Sequence, residues 1–234
     1  MNDKISGIIL EASAYKENDL LLKVFIEDGE IISLIGKGSQ KMSAHNHYVP
    51  FSLYEFIIDI KENKTMYTPK SAKLIKSYYI DNDLKMLSFN NLIANALIKN
   101  KEELDFEDYS ILLFILEKEN DRNMYCLGSL FFARLLKKSG IEPIVDGCVE
   151  CSNSKVIGLS KSLGGFVCKD HAQEQDLEDV IRLKKFRLIN KANFDNYDVV
   201  SEYDYDEKDL ELLVDFYLEN SYISLQAYDF FKKI

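Results

Sequence analysis

The sequence predicts an α+β chain: a small N-terminal OB-fold β-barrel followed by an α-helical domain that carries a zinc-ribbon insertion. Three observations predict it. Apolar residues recur at every second position as far as about Ile80 and at about every 3.6 positions beyond it. The first stretch holds five short β-rich runs separated by turn residues. Between Gly147 and His171, three of the four cysteines and one of the three histidines fall in a single paired spacing. The domains are therefore expected at 1–80 and 81–234, with the ribbon at about 144–172.

Ile5 to Leu10, Leu20 to Ile26, Ile31 to Ile35 and Leu53 to Ile60 read as strands, and Asp28-Gly29 as the hairpin turn between the second and third. Leu20, Leu22, Val24 and Ile26 share one face of the second run, with Lys23 on the other. In the fourth, Tyr54, Phe56, Ile58 and Ile60 oppose Glu55 and Asp59. A fifth strand is expected over Lys64 to Thr68, ended by Pro69. Five strands with one apolar face fit an OB-like barrel, whose outer strands and loops commonly hold single-stranded nucleic acid. Alternation alone does not separate that barrel from an SH3-like one.

The loop Gly36-Lys37-Gly38-Ser39-Gln40-Lys41 suits phosphate, because its glycines expose backbone N–H groups and its lysines add charge. It lacks the GxxxxGK[ST] spacing of a nucleotide-binding loop. With Lys37 and Lys41, the lysines Lys64, Lys70 and Lys73 are the candidate DNA contacts, set against the alternative of an ordinary solvated surface. Tyr48, Phe51 and Tyr67, near loops and strand ends, are the candidates for base stacking, whereas Tyr54 and Phe56 belong to the core because their strand face is wholly apolar. His45 and His47 have no carboxylate or cysteine at usable spacing and read as loop residues.

Beyond residue 80, Asp83 can cap a helix running to about Asn100, and Asp105 a second one reaching Glu117. A third is expected from about Arg122 or Asn123 to Lys138, burying Leu127, Leu130, Phe131 and Leu135. Lys137 and Lys138 suit the negative end of its dipole, Gly140 a left-handed cap, and Pro143 forbids continuation. A helical pattern returns weakly from Leu177 to Leu188 and clearly from Glu207 to Leu218. Ile223, Ala227, Phe230, Phe231 and Ile234 form a last apolar stripe, so the C-terminus is expected to dock. Cys126 falls in the third helix as a buried thiol.

Cys148-Val-Glu-Cys151 and Cys168-Lys-Asp-His171 are two half-sites separated by sixteen residues that end in a hairpin-like Leu163-Gly164-Gly165-Phe166-Val167. Three thiolates and one imidazole form a closed tetrahedral set for zinc, with no position left for substrate, so one structural zinc per chain is expected. A disulfide reading is weaker, since no secretory signal precedes the pair and Cys126 would lack a partner.

The absence of an apolar N-terminal segment and of any run of about 18 apolar residues points to a cytoplasmic protein without a membrane contact. The net charge of −10 argues against nucleic acid until its distribution is considered. Residues 1–80 carry ten basic and ten acidic side chains, so the whole excess lies in 81–234. From Lys37 to Tyr78, seven lysines face three acids, a locally basic zone on an acidic protein.

Taken in order, these parts resemble the bacterial recombination mediator RecO family. The residues that carry the likeness are Gly7-Ile-Ile-Leu, the run from Tyr15 to Phe25, Gly36-Lys-Gly38, Pro50, and above all Leu135-Leu136 to Gly140-Ile-Glu-Pro143 leading into Cys148-x-x-Cys151 and Gly164-Gly165-Phe166-Val167-Cys168-x-x-His171. The resemblance spans most of the chain, and the stretch 135–171 is its specific part. It implies an OB domain, a helical domain with a zinc ribbon and no enzymatic activity. It further implies binding and annealing of single- and double-stranded DNA, contact with the C-terminal tail of SSB, and action with RecR in helping RecA load. An acidic tail with an apolar end calls for a hydrophobic groove edged by cations, and Arg122, Arg134, Lys137 and Lys138 are the expected rim. The sequence departs from expectation in its pI near 4.9, so RecR is expected to supply part of the DNA affinity. Two other classes compete: an adaptor using its barrel and ribbon for protein contacts alone, and a metal-dependent nuclease or deaminase. The latter is opposed by the closed ligand set and the lack of an HxE…PCxxC signature.

Overall fold

A computed structural model describes residues 3–41, 47–59, 66–79, 83–120 and 123–234. Compactness groups the chain into two units, Met1–Lys118 with Leu225–Ile234, and Glu119–Ser224. The switch from strands to helices does occur near residue 80, but two helices beyond it and the last helix pack with the sheet rather than with the ribbon-bearing unit.

In the first unit, β1 (Asp3–Tyr15), β2 (Asp19–Ile26), β3 (Ile31–Gly36), β4 (Ser52–Ile58), β5 (Met66–Tyr67) and β6 (Ser71–Ser77) form one sheet in the order β5-β3-β2-β1-β4-β6. All neighbours are antiparallel except β3 and β5. β5 and β6 sit at opposite edges of that order and are joined by residues 68–70 alone, so the stretch 66–77 links both edges and rolls the sheet into the OB barrel. The register places Leu22, Val24, Leu34, Tyr54, Phe56 and Ile58 inside, the face that alternation marks in β2 and β4.

The barrel differs from the expected five strands in its last segment. Of Lys64 to Thr68, Met66–Tyr67 is a strand, residues 64 and 65 lie outside the described residues, and a sixth strand follows Pro69. That strand escapes alternation because it is bulged: Leu53 faces Lys76 and Tyr54 faces Leu74, leaving Ile75 as the extra residue. β1 likewise runs beyond Leu10, its register with β2 shifting between Ile9 and Glu11.

Helices α1 (Leu84–Lys99) and α2 (Phe106–Lys118) belong to this unit. Asp83 caps α1 by accepting from the Met86 N–H, and Asp105 and Asp108 exchange backbone-to-carboxylate bonds at the start of α2. On the outer face of the barrel, fully buried Phe25 meets Tyr109 edge-on at 5.5 Å. Burial pushes the Tyr109 hydroxyl up to about 12.

In the second unit, α3 (Met124–Lys138) is followed by the ribbon strands β7 (Val156–Ser160) and β8 (Gly165–Cys168), then α4 (Val180–Lys191), the single turn α5 (Tyr197–Val200) and α6 (Glu207–Ser221). Gly140 takes φ +67° just past α3, and the Ile141 N–H closes back on the Leu136 carbonyl, the left-handed stop expected there. α4 begins later than its weak apolar pattern suggests because Asp179 caps it, accepting from the Ile181 and Arg182 N–H groups. Phe166 on the ribbon, Phe186 on α4 and Phe216 on α6 form a chain of ring contacts at 6.0 Å each. Buried Asp209 pairs with Arg182 at 2.6 Å and Lys185 at 2.8 Å, tying α6 to α4. α7 (Gln226–Phe231) returns the C-terminus to the first unit and buries Tyr228 and Phe231 there, while Phe230 remains half exposed.

Candidate metal centre and nucleic-acid interface

The ribbon hairpin gathers its four candidate ligands from two tight turns. Around Cys148 and Cys151, the Ser152 N–H donates to the Cys148 carbonyl at 2.7 Å and the Cys148 N–H to the Asn153 carbonyl at 2.9 Å. Cys168 ends β8, and its carbonyl accepts from the N–H groups of His171 at 3.1 Å and Ala172 at 2.8 Å. Two pairings hold the turns together: β7 with β8, whose reversal is made by Gly164 at φ +78°, and the Val149 N–H on the Phe166 carbonyl at 2.8 Å.

The four ligand atoms lie within 4.8 Å of one another. A tetrahedral zinc, with bonds of about 2.3 Å to sulfur and 2.0–2.1 Å to nitrogen, sets ligand edges of about 3.8 Å between sulfurs and about 3.5 Å between sulfur and nitrogen. The Cys151 and Cys168 sulfurs are 3.7 Å apart, and His171 Nδ1 lies 3.5 Å from the Cys148 sulfur and 3.4 Å from that of Cys168. The donor set therefore fits zinc in chemistry and in size. Burial alone would raise the Cys148 thiol, but N–H groups of Cys168, Cys151 and Glu150, with the His171 ring, bring it down to about 6. The His171 ring is raised by its contacts with the Cys168 and Cys148 sulfurs.

The residues expected to meet DNA are only partly arranged for it. Lys37, Lys41, Lys70 and Lys73 are exposed, and Lys64 lies outside the described residues. Glu55, which faces Lys73 across the strands, is held instead by Lys4 at 2.7 Å. The loop 36–41 does not offer all its N–H groups to phosphate: that of Gly38 donates to the Asp19 carboxylate at 2.8 Å, and the Gln40 N–H donates to the Asn18 carbonyl at 3.1 Å. Tyr48 is 9 % exposed and packs inside the barrel, its ring 6.3 Å from Phe56 and 5.8 Å from Tyr54. Phe51 is buried as well, and Tyr67 is half-buried against the same core. Proximity to a loop is a poor guide to their exposure, because the segment before β4 turns Tyr48 into the barrel core and buries Phe51 too. His47 is an exposed loop residue, and His45 lies outside the described residues.

Of the expected rim for a partner tail, Arg122 lies outside the described residues, and Arg134 and Lys138 are half-buried on α3. Lys137 donates to the Ala192 carbonyl at 3.3 Å and lies 4.0 Å from Glu142. A groove of about 480 Å³ with an apolar floor opens elsewhere in this unit, over the buried Val145, Phe166 and Leu183. Lys155, Lys184 and Arg187 line it. Its one acid, Asp146, is shared by Arg187 and Lys191 at 2.8 Å each, while no carboxylate among the described residues pairs with Lys155 or Lys184. The signal was present in α4, whose twelve residues carry five cations and no acid.

Comparison with known proteins agrees with this arrangement. The family model "Recombination protein O N terminal" matches residues 1–78, the span of the six-stranded sheet. The chain is 29 % identical over 179 residues to the DNA repair protein RecO of Lactobacillus helveticus, covering 72 % of this chain and 70 % of the relative. It is 28 % identical over 205 residues to that of Mesoplasma florum, covering 82 % and 76 %. With that of Acetivibrio thermocellus it shares 25 % over 176 residues, covering 70 % and 68 %. An OB barrel, a helical body interrupted by a three-cysteine, one-histidine ribbon, and relatives matched across most of their length all support the RecO family: residues 1–78 carry its N-terminal domain, and the chain is similar to RecO proteins over most of its length.

Proposed function

We propose that this protein acts in DNA repair as a non-catalytic recombination mediator of the cytoplasm, associated with the nucleoid. It binds single- and double-stranded DNA, anneals complementary strands and, with RecR, helps RecA load on SSB-coated DNA. Residues 1–80 form the DNA-binding module and 81–234, with the ribbon, the partner-binding module. The observation that carries the reading is the RecO-type barrel bearing exposed lysines at positions 37, 41, 70 and 73 on a chain of net charge −10. Those lysines, with Lys64, neutralise backbone phosphates, so affinity falls steeply with salt. No helix among the described residues is long and apolar enough to cross a membrane, consistent with a partner set of DNA and proteins.

Zinc is held by Cys148, Cys151, Cys168 and His171 as a structural ion. Bound there, it supplies a cross-link that closes the ribbon in place of a larger core. The SSB tail, acidic with an apolar end, is met by the helical unit. The expected rim of Arg134, Lys137 and Lys138 has one competitor, the apolar groove edged by Lys155 and Lys184, which offers both the unpaired charge and the floor such a tail needs. Titration of tail peptide against Arg134→Glu and against Lys155→Glu/Lys184→Glu separates the two: the site is the one whose variant loses binding.

The decisive experiment measures annealing of SSB-coated complementary oligonucleotides, with and without RecR, alongside metal analysis of the same preparation. Acceleration of annealing, with about one zinc per chain, is the expected result. One observation favours an adaptor without DNA binding, namely that the Gly38 N–H is already taken by Asp19. Absence of any oligonucleotide shift at low salt, with partner binding intact, would replace the mediator reading by that one.

A further inference from the structure

The aromatic rings expected to stack on bases are inside the barrel, yet the lysine-bearing segment is not purely polar. Among the described residues of the first unit, eight large apolar side chains are exposed, and four of them, Met66, Leu74, Ile75 and Tyr79, fall within 66–79. Leu74 and Ile75 are each 48 % exposed, side by side on β6. β6 is exposed at every position but the half-buried Ala72, and the bulge falls at this pair. Without the extra residue, strict alternation would turn one of two adjacent residues inward; at the bulge both are half exposed. Lys73 precedes this pair and Lys76 follows it, with Lys70 three residues before Lys73 at the entry to β6. Lys76 is partly committed, bonding Glu117 at 3.0 Å and lying 4.4 Å over the Tyr78 ring.

We infer that Leu74 and Ile75 are the base-contacting surface of this barrel, against which unstacked bases of single-stranded DNA pack while Lys70 and Lys73 hold the flanking phosphates. This rests on the DNA-binding reading above and names the side chains that give it a salt-independent part. Two features favour nucleic acid over an added protein strand as the occupant. A bulge breaks the flat run of backbone groups that strand addition needs. The patch also lies between lysines, which complement phosphate and discourage edge pairing. A duplex keeps its bases stacked, so the aliphatic pair discriminates between single- and double-stranded DNA.

Binding of fluorescein-labelled oligothymidine across a salt series tests this, with Leu74→Ser/Ile75→Ser compared with Lys70→Ala/Lys73→Ala. The aliphatic variant is expected to bind about fivefold to tenfold more weakly at every salt concentration, with its slope unchanged. The lysine variant should lower the slope by about 1.4. Duplex DNA of equal length should not distinguish the aliphatic variant from the parent. A 2-aminopurine probe in the oligonucleotide should lose part of its response on binding the aliphatic variant, a readout that altered stability alone does not move. Parent-level affinity for oligothymidine, an equal loss on duplex, or loss of RecR binding with intact oligothymidine binding would overturn the inference. If the parent itself binds no DNA at low salt, the broader reading fails instead. Ile75→Ala, a milder change at the bulge, provides the same comparison should the double variant melt at lower temperature.

Discussion

Replacing Lys37 and Lys41 by alanine gives the sharpest test of the electrostatic account. Both are exposed and border a loop fixed by Asp19, so truncation removes charge without disturbing the Gly38 and Gln40 bonds. If Lys37, Lys41, Lys64, Lys70 and Lys73 each neutralise one phosphate of a single strand, log K falls with log salt at a slope of about −3.5. Raising salt from about 50 to 200 mM then weakens the parent about 130-fold. The double variant keeps three contacts, a slope of about −2.1, and should weaken only about 18-fold over the same range. Fluorescence anisotropy with an oligothymidine reads both slopes directly. An unchanged slope, even with reduced affinity at one salt concentration, would show that the loop does not touch the backbone and would refute the assignment of charge to that face.

Three further outcomes are expected. Cys151→Ser should lose zinc, and in cobalt-substituted protein should lose the thiolate charge-transfer absorption of the parent; full metal retention would remove Cys151 from the ligand set. Gly140→Ala should cost about 1 kcal/mol in urea melts, because a Cβ there meets nothing within 4 Å and the cost is that of φ +67° alone, while Gly140→Asn should cost less. Asp206 is held at about 2 by the Arg182 guanidinium, against burial that would raise it. Its folded pKa lies below the ordinary 3.8, so its contribution is complete above about pH 4 and is lost as pH falls towards 2. With the carboxylate 55 % exposed, solvent screening limits it to about 1 kcal/mol or less, and Asp206→Asn should flatten the acid limb by that amount.

The parts legible in the sequence were those governed by local chemistry. Asp83 and Asp105 mark helix starts, Gly140 marks a stop, and the paired cysteine spacing brings four ligands together because each half-site is a tight turn of its own chain. Alternation identified the inner face of β2 and β4 because both strands run regularly along the barrel core, although in β2 the outward Phe25 is covered as well. What remained hidden depends on register or on tertiary cover. β6 was masked by the bulge at Ile75. Tyr48 carries no local sign that it enters the barrel core, nor Phe51 that it is buried. The five cations of α4 are visible in the sequence, but only the fold shows that Asp146, Asp206 and Asp209 occupy most of them, with no carboxylate among the described residues paired with Lys184.

The row of rings Phe166, Phe186 and Phe216 would give a metal held by Cys148, Cys151, Cys168 and His171 a reach beyond its own turns. Phe166 stands two residues before Cys168 on the same strand, so whatever fixes the thiolate also fixes where that ring can lie. Removing an ion held there would free the strand end, and the disturbance would pass into the hydrophobic interior of α4 and α6 rather than stay at the surface. A change in near-ultraviolet dichroism on chelation, absent in a Phe166→Leu variant, would report that coupling without assaying DNA.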